Sequence, residues 1–313
     1  MTEQAGGRAQ LTVRAPAKVN LSLEVLGTRP DGFHDIRTVM QAVSVCDEMR
    51  FRSRDDGQVR LTCSEPGLPT DDRNLVLRAA LTLQERLGVR VGVDVDLVKR
   101  IPVGGGLGGG SSDCAVTMLA LRKLWGLDVD VHRLADIGGE LGSDVPFFFW
   151  GGTARCEGRG ERIEPIECAR TFHYVLVTPP CPVSTAAVYA VAGSGLTTGS
   201  HASENVGRAV KEGNVGLLGA SLQNGLQDAT LSLHPELRKL WRKLEDLRAG
   251  CNARGMLLSG SGSSVLMLCD GAGEAQRAAR FLSSELQVPC AAAHSLPAWR
   301  DRFSLLRVRR GHL

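Results

Sequence analysis

What this chain can fold into is limited most by Pro102-Val103-Gly104-Gly105-Gly106-Leu107-Gly108-Gly109-Gly110-Ser111-Ser112-Asp113, where six of the seven residues from Gly104 to Gly110 are glycine. Glycine buries no side chain and loses the most conformational freedom on ordering, so the run does not serve packing. It offers a backbone that turns at positive φ and that a ligand can approach closely. Residues 114–125 have helical spacing, with Ala115, Met118, Leu119 and Arg122 recurring and Gly126 at the C-terminal cap position. Ser111, Ser112 and Asp113 are the N-cap candidates. A glycine loop entering a helix gathers unpaired N–H groups at the positive end of the dipole, which favours a phosphate.

Two familiar phosphate loops fit poorly. A Walker loop needs Lys-Ser/Thr after its last glycine, and Gly110 is followed by Ser111 and Ser112. The dinucleotide pattern G-x-G-x-x-G matches at Gly104, Gly106 and Gly109, but so rich a run matches almost any glycine pattern. The preceding stretch, Val91-Gly92-Val93-Asp94-Val95-Asp96-Leu97, alternates apolar residues with Gly or Asp. That marks a strand with one wet face, not the continuous apolar strand of a doubly wound sheet. Asp128 and Asp130 fall in a turn after the helix, so the acidic strand-end partner about 20 residues on is missing.

A length of 313 residues allows one large or two medium domains, and 43% apolar with 23% charged residues describes a soluble globular protein. The net charge of +3 is too small to argue for nucleic acid, and 307–310 reads as a solvated end. Nine cysteines without a C-x-x-C pair argue for reduced thiols in a cytoplasmic protein, with neither a disulfide framework nor a zinc site. No apolar run nears about 18 residues, and Phe147-Phe148-Phe149-Trp150 reads as a short buried strand. The first ten residues lack the apolar core of a signal peptide. A plastid protein stripped of its transit peptide stays open.

Along the chain, a strand at 11–26 puts Val19, Leu21, Leu23 and Val25 on one face. Lys18, Asn20, Ser22 and Glu24 share the other, away from the core. The turn Pro30-Asp31-Gly32 presents Phe33 and His34. Strands follow at 38–45, 48–52 and 58–63, with Asp55-Asp56-Gly57 as a hairpin turn. A helix at 74–87, with Asp72 near its cap, ends at Gly88, and another at 131–141 stops at Gly142 before the turn Ser143-Asp144-Val145-Pro146. Short strands fill 147–166. A second domain then takes a strand at 172–178, helices at 186–191, 203–211 and 235–248, and an exposed loop at 193–200. A strand–glycine turn–strand at 256–266, a helix at 274–286 and a strand at 288–293 complete it. The mixed order indicates α+β, divided as 1–168 and 169–313.

Three stretches together resemble the GHMP kinases: Ala15-Pro16-Ala17-Lys18-Val19-Asn20-Leu21, the loop Pro102–Ser112, and Leu258-Ser259-Gly260-Ser261-Gly262-Ser263. Gly142-Ser143-Asp144-Val145-Pro146 is similar to the family segment that bears its catalytic acid. The resemblance implies a ribosomal protein S5 domain 2-like N-terminal domain and a ferredoxin-like C-terminal domain, with the active site in the cleft between them. It implies ATP and Mg²⁺, Lys18 and Asp144 as catalytic residues, and no metal ligand among the site residues. Pro102, Val103, Gly104, Gly105, Gly106, Leu107, Gly108, Gly109, Gly110, Ser111 and Ser112 would bind ATP, with Gly260 and Gly262 in the third motif. Arg29-Pro30-Asp31-Gly32-Phe33-His34 narrows the resemblance to a branch that phosphorylates a cytidine-diphosphate-linked methylerythritol. Asn20, Phe33, His34 and Tyr189 would bind that substrate, with Phe33 where the family more often has Tyr. Asn224-Gly225 departs from an expected Asn-Asp. No nucleic acid or membrane partner is implied. The alternatives are a mevalonate-pathway or homoserine kinase, a ligand-binding regulator that has lost catalysis, and a dinucleotide oxidoreductase; retention of both Lys18 and Asp144 argues against the regulator.

Overall fold

The computed structural model describes residues 9–192, 200–298 and 307–309, so the loop expected at 193–200 lies almost wholly outside the described residues. In chain order come β1 (Gln10–Thr28), β2 (His34–Arg54), β3 (Val59–Cys63), α1 (Leu75–Leu87), β4 (Gly92–Val98), α2 (Gly109–Leu124), α3 (Val131–Leu141), α4 (Phe147–Trp150), β5 (Thr153–Gly158) and β6 (Arg162–Ile166). Then follow β7 (His173–Val177), α5 (Thr185–Ala192), α6 (Ala202–Glu212), α7 (Val215–Ser221), β8 (Gln223–Asn224), α8 (Gln227–Leu233), α9 (Pro235–Leu247) and β9 (Gly255–Leu258). The last are β10 (Val265–Cys269), α10 (Ala272–Leu286), β11 (Cys290–His294) and β12 (Arg307–Arg309).

One sheet has the order β12-β1-β2-β4-β3, extended by β5 and β6 from β2 and by β8 beside β1; the other is antiparallel, β11-β7-β10-β9. Met49, Phe51, Leu83, Met118 and Phe147 belong to the core that the first sheet shares with its helices. Val19 and Leu21 meet Phe172, Tyr174 and Leu176 in a second core between the sheets. There the Tyr174 hydroxyl donates to Gln41 Oε1, joining β7 to β2. A third core, including Val175, Met267 and Leu282, lies on the other side of the second sheet. Among the described residues no helix is long and apolar enough to cross a membrane.

Most elements follow their local patterns. In α1 the Asn74 side chain accepts from Val76 N, the buried Val76, Ala79, Ala80 and Leu83 recur at helical spacing, and Gly88 ends the helix at φ 65°. The cap itself is Asn74, two residues after Asp72. Other expectations give way to longer-range pairing. The two strands foreseen at 38–45 and 48–52 are one strand, because a register shift against β1 between Pro16 and Ala17 absorbs the irregularity without breaking the ladder. Asp55-Asp56-Gly57 turns the chain but closes no hairpin, since β4 lies between β2 and β3 and pairs with both. Phe147–Trp150 is a single helical turn with three fully buried phenylalanines, started by Pro146 in helical conformation. The end at 307–309 pairs with β1 at Gln10–Thr12.

Two departures shape the cleft. The helix after the glycine loop begins at Gly109, with Gly108 as N-cap at φ 67°, so Ser111, Ser112 and Asp113 lie inside its first turns. The stripe Lys18, Asn20, Ser22, Glu24 is buried, not exposed, and is split by a second register shift between Asn20 and Ser22. Before the shift Lys18 and Asn20 face the cleft; after it Leu23 does. Ser22 and Glu24 turn instead to Ser203 at the start of α6, where the two serine hydroxyls lie 3.0 Å apart and Ser203 N donates to Glu24 Oε2.

Gly106 is where close approach rules out a side chain: at φ 74°, a Cβ would lie 2.2 Å from Ser259 O and 2.8 Å from Gly262 O. Gly110 is helical, and the nearest heavy atom to a Cβ there is Leu75 Cδ1 at 3.7 Å. Gly106→Ala is therefore expected to destabilise the protein by about 2 kcal/mol or more, and Gly110→Ala to stay within about 0.5 kcal/mol of the parent. Urea denaturation of both variants checks this; equal midpoints would contradict the packing.

Candidate active site

Lys18 emerges from the middle of β1, where two buried neighbours fix its ammonium. Nζ donates to Asn20 Oδ1 at 2.7 Å, and Asn20 Nδ2 donates in turn to Thr38 Oγ1 at 2.8 Å. The same Nζ lies 3.2 Å from Asp144 Oδ2, in the turn between α3 and α4. Lys18 is almost wholly buried, while the Asp144 side chain keeps 30% of its surface, so the carboxylate reaches into the open cleft. That cleft has a volume of about 930 Å³, and Lys18, Asn20, Asp144 and every residue from Pro102 to Ser111 line it.

The glycine loop stands directly over the pair. Lys18 N donates to Leu107 O at 2.9 Å, and a Cβ on Gly108 would lie 2.9 Å from Lys18 Cγ. Since the first helical bond of α2 runs from Ser112 N to Gly108 O, the amides of Gly109, Gly110 and Ser111 take no part in the helix's own ladder. They and the helix dipole make this end of the cleft suited to an anion. Ser112 is fully buried behind the loop, and its Oγ has no partner among the described residues.

The third glycine turn is pinned to the loop from the other sheet. Ser264 N donates to Gly105 O at 3.1 Å and Ser259 Oγ to Gly106 O at 3.2 Å. Gly260 lines the cleft, and a Cβ there would lie 3.2 Å from Asn20 Oδ1; Gly262 instead faces Thr230 and Leu258. Asn224, set aside at the sequence level, holds this turn: Nδ2 donates to Leu258 O at 2.9 Å and to Gly260 O at 2.7 Å.

Farther along the cleft, His34 and Tyr189 stack with centroids 4.7 Å apart and planes at 27°. Burial, and then the nearby Asp144 charge, push the Tyr189 phenol up, so it stays protonated. Phe33 lines the same cleft but makes a different contact: half its surface is exposed, and the Arg159 guanidinium lies over its ring at 4.9 Å. Adjacent residues entering β2 diverge, so Phe33 does not share His34's contact with Tyr189. The same cleft is also lined by Leu68, Pro69, Arg73, Asn74 and Lys99, none of which the motifs single out.

Lys99 belongs to a buried charge cluster under the loop. Nζ donates to Asp47 and, at 2.8 Å, to Asp113 Oδ2, while the amides of Arg100 and Ile101 donate to Asp47 Oδ1. Burial alone would lower the Lys99 pKa, but Asp113 and Asp47 outweigh it and hold it above the usual lysine value. Burial, supported by the Asp47 charge and only partly opposed by Lys99, pushes the Asp113 carboxyl up to about 7. Its Oδ1 has no partner among the described residues.

A phosphate-type loop, a paired lysine and carboxylate, and a facing glycine turn across two α+β units describe a small-molecule kinase. Residues 74–152 match the family model described as GHMP kinases N terminal domain, and residues 208–288 match GHMP kinases C terminal. A 4-diphosphocytidyl-2-C-methyl-D-erythritol kinase of Exiguobacterium sibiricum is 40% identical over 270 residues, 85% of this chain and 92% of its own. One from Pelotomaculum thermopropionicum is 40% identical over 279 residues, 89% of this chain and 96% of its own. The crystal structure of a 4-(cytidine 5'-diphospho)-2C-methyl-D-erythritol kinase superposes with a TM-score of 0.76 at 33% identity, covering 91% of this chain and 98% of the other. A homoserine kinase from Cytophaga hutchinsonii reaches 0.75 at 20% identity over 99% of each chain, a likeness of fold alone. The chain belongs to the GHMP kinases, with their two-domain α+β fold and ATP-dependent phosphotransfer to a small molecule.

The buried cluster makes stability depend on pH. An aspartate in the unfolded chain titrates near about 4, whereas Asp113 in the folded protein titrates at about 7. Between those values the native state holds the extra proton, so this contribution is full below about 4 and is lost as pH rises through about 7. Asp113→Asn removes the titration. The stability of the parent relative to this variant is expected to fall from pH 5 to pH 8, read from urea midpoints; a constant difference would refute it.

Proposed function

We propose that the protein transfers the γ-phosphoryl of Mg-ATP to the 2-hydroxyl of 4-diphosphocytidyl-2-C-methyl-D-erythritol, giving the 2-phosphate and ADP, in isoprenoid precursor synthesis by the non-mevalonate route. One observation carries the reading: the Lys18–Asp144 contact of 3.2 Å faces the unpaired amides of α2 in a single cleft. Identity of 40% to kinases named for that substrate supports the choice of acceptor.

In such a transfer positioning and charge stabilisation supply most of the acceleration. Asp144 accepts the proton of the attacking hydroxyl, a role contributing roughly 10²–10⁴-fold. Lys18, 3.2 Å from it, orients that carboxylate, and Asn20 keeps Lys18 from swinging away. The amides of Gly109, Gly110 and Ser111 cradle phosphate oxygens. Beside the loop the side chains that line the cleft include Ser111 and Asp144, hard oxygen donors that suit Mg²⁺. Ser111 would help hold the ion, which when bound offsets the charge on the phosphates. Phe33 and Tyr189 offer aromatic faces to the cytosine. Because His34 and Tyr189 already touch, the base lies outside that pair, with His34 ring nitrogens available for hydrogen bonds. The nine cysteines, all free, fit a reducing cytoplasm.

Homoserine and mevalonate kinases share the fold, so turnover decides the acceptor. ADP release is expected with the cytidine compound and not with mevalonate or homoserine; the reverse preference would overturn the assignment. Asp144→Asn should lower kcat by about 10² or more while the KM for ATP stays within a few-fold, since the amide keeps the shape but takes no proton. Tyr189→Ala should raise the KM for the cytidine substrate by about fivefold or more, the scale of one lost base–aromatic stack. An unchanged KM in steady-state kinetics would remove Tyr189 from the site.

A further inference from the structure

Away from the cleft, three side chains from two separate segments converge. Cys181 lies in the loop between β7 and α5, His234 joins α8 to α9, and Glu236 sits in the first turn of α9. Cys181 Sγ is 3.8 Å from His234 Nδ1 and 3.2 Å from Glu236 Oε1, and the last two atoms are 3.5 Å apart. All three edges are closed by one atom from each residue.

We infer that Cys181, His234 and Glu236 form a binding site for a soft or borderline divalent cation of the zinc type. A tetrahedral centre with bonds of about 2.3 Å to sulfur and about 2.0–2.2 Å to nitrogen and oxygen has edges of about 3.4–3.6 Å. The observed triangle, 3.2–3.8 Å, needs shifts of only a few tenths of an ångström to match. Cys181 and His234 are half-buried and Glu236 is exposed, so one side stays open for a water as fourth ligand. At present the thiol proton bridges Cys181 to Glu236. Binding replaces that proton, which passes to solvent, and leaves a thiolate, an imidazole and a carboxylate around the ion. The sulfur and nitrogen donors select against Mg²⁺, which takes oxygen, so the ATP-bound metal does not compete.

The ion would tie the β7–α5 loop to the start of α9. That loop also reaches the phosphate loop: a Cβ on Gly104 would lie 3.6 Å from Pro182 Cβ. No short ligand spacing in the sequence announces this cluster, because 53 residues separate Cys181 from His234.

The test is a titration of the metal-free full-length protein with Co²⁺ in the presence of excess Mg²⁺. One equivalent should bind with the visible bands of tetrahedral Co²⁺ and a thiolate charge-transfer band, and Zn²⁺ should bleach both. Cys181→Ser should lose the charge-transfer band, and both it and His234→Ala should bind Co²⁺ more than about tenfold more weakly. Folding of each variant is checked by its thermal midpoint and by turnover with Mg-ATP, which should match the parent. The inference is overturned if no tetrahedral spectrum forms, or if the same spectrum persists in Cys181→Ser and so comes from another cysteine.

Discussion

Two glycine turns, one between β4 and α2 and one between β9 and β10, meet backbone to backbone. Carbonyls of Ser259 and Gly262 occupy the space where a side chain at Gly106 would begin, and hydrogen bonds from Ser264 and Ser259 fasten the contact. Because Gly106 has no side chain to hold the turns apart, the first sheet and the second approach closely, with Lys18 and Asn20 buried beside the contact. The phosphate end of the cleft depends on this contact. A side chain at Gly106 would separate the loop from the turn, and with it the amides of α2 from the Lys18–Asp144 pair.

β1 sets the rest. The irregularity around Leu21 lets one strand serve the cleft with Lys18, Asn20 and Leu23 while sending Ser22 and Glu24 to α6. A regular alternation would have put all four polar side chains on the same face, with Glu24 on the side of Lys18 and Asn20. The bulge therefore keeps a second carboxylate away from the phosphates. Lys99 acts similarly below the loop, taking up the charges of Asp47 and Asp113.

Local signals were legible and distant ones were not. The glycine loop, the cap at Gly88, the turn before Phe33 and the strand–turn–strand around Gly260 all rest on neighbours in the chain. The start of α2 was misjudged because Gly108 closes the loop through its backbone, where side-chain capping rules do not apply. The Phe147 turn read as a strand because four apolar residues fit either period. The buried polar face of β1, the Asp47–Lys99–Asp113 cluster and the grip of Asn224 on the third turn depend on residues 14 to 181 positions apart, and no short pattern announces them. Lys18, Asp144 and the glycine loop, which the motifs single out, come together in one cleft. The stacking of His34 on Tyr189 joins residues 155 positions apart, and no local pattern shows it.

The outer edge of β1 has a consequence for how the molecule is made. Its inner edge pairs with β2, the next strand to leave the ribosome, but its other edge is covered by β8 at Ser22–Leu23 and by β12 at Gln10–Thr12. β1 is thus completed by segments about 200 and 300 residues downstream of it. Until they emerge, a nascent chain presents an open row of amides and carbonyls, the kind of edge that recruits foreign strands. Translation order and sheet order run against each other here, so the interval between β1 and its late partners is when this chain is most exposed to misassembly.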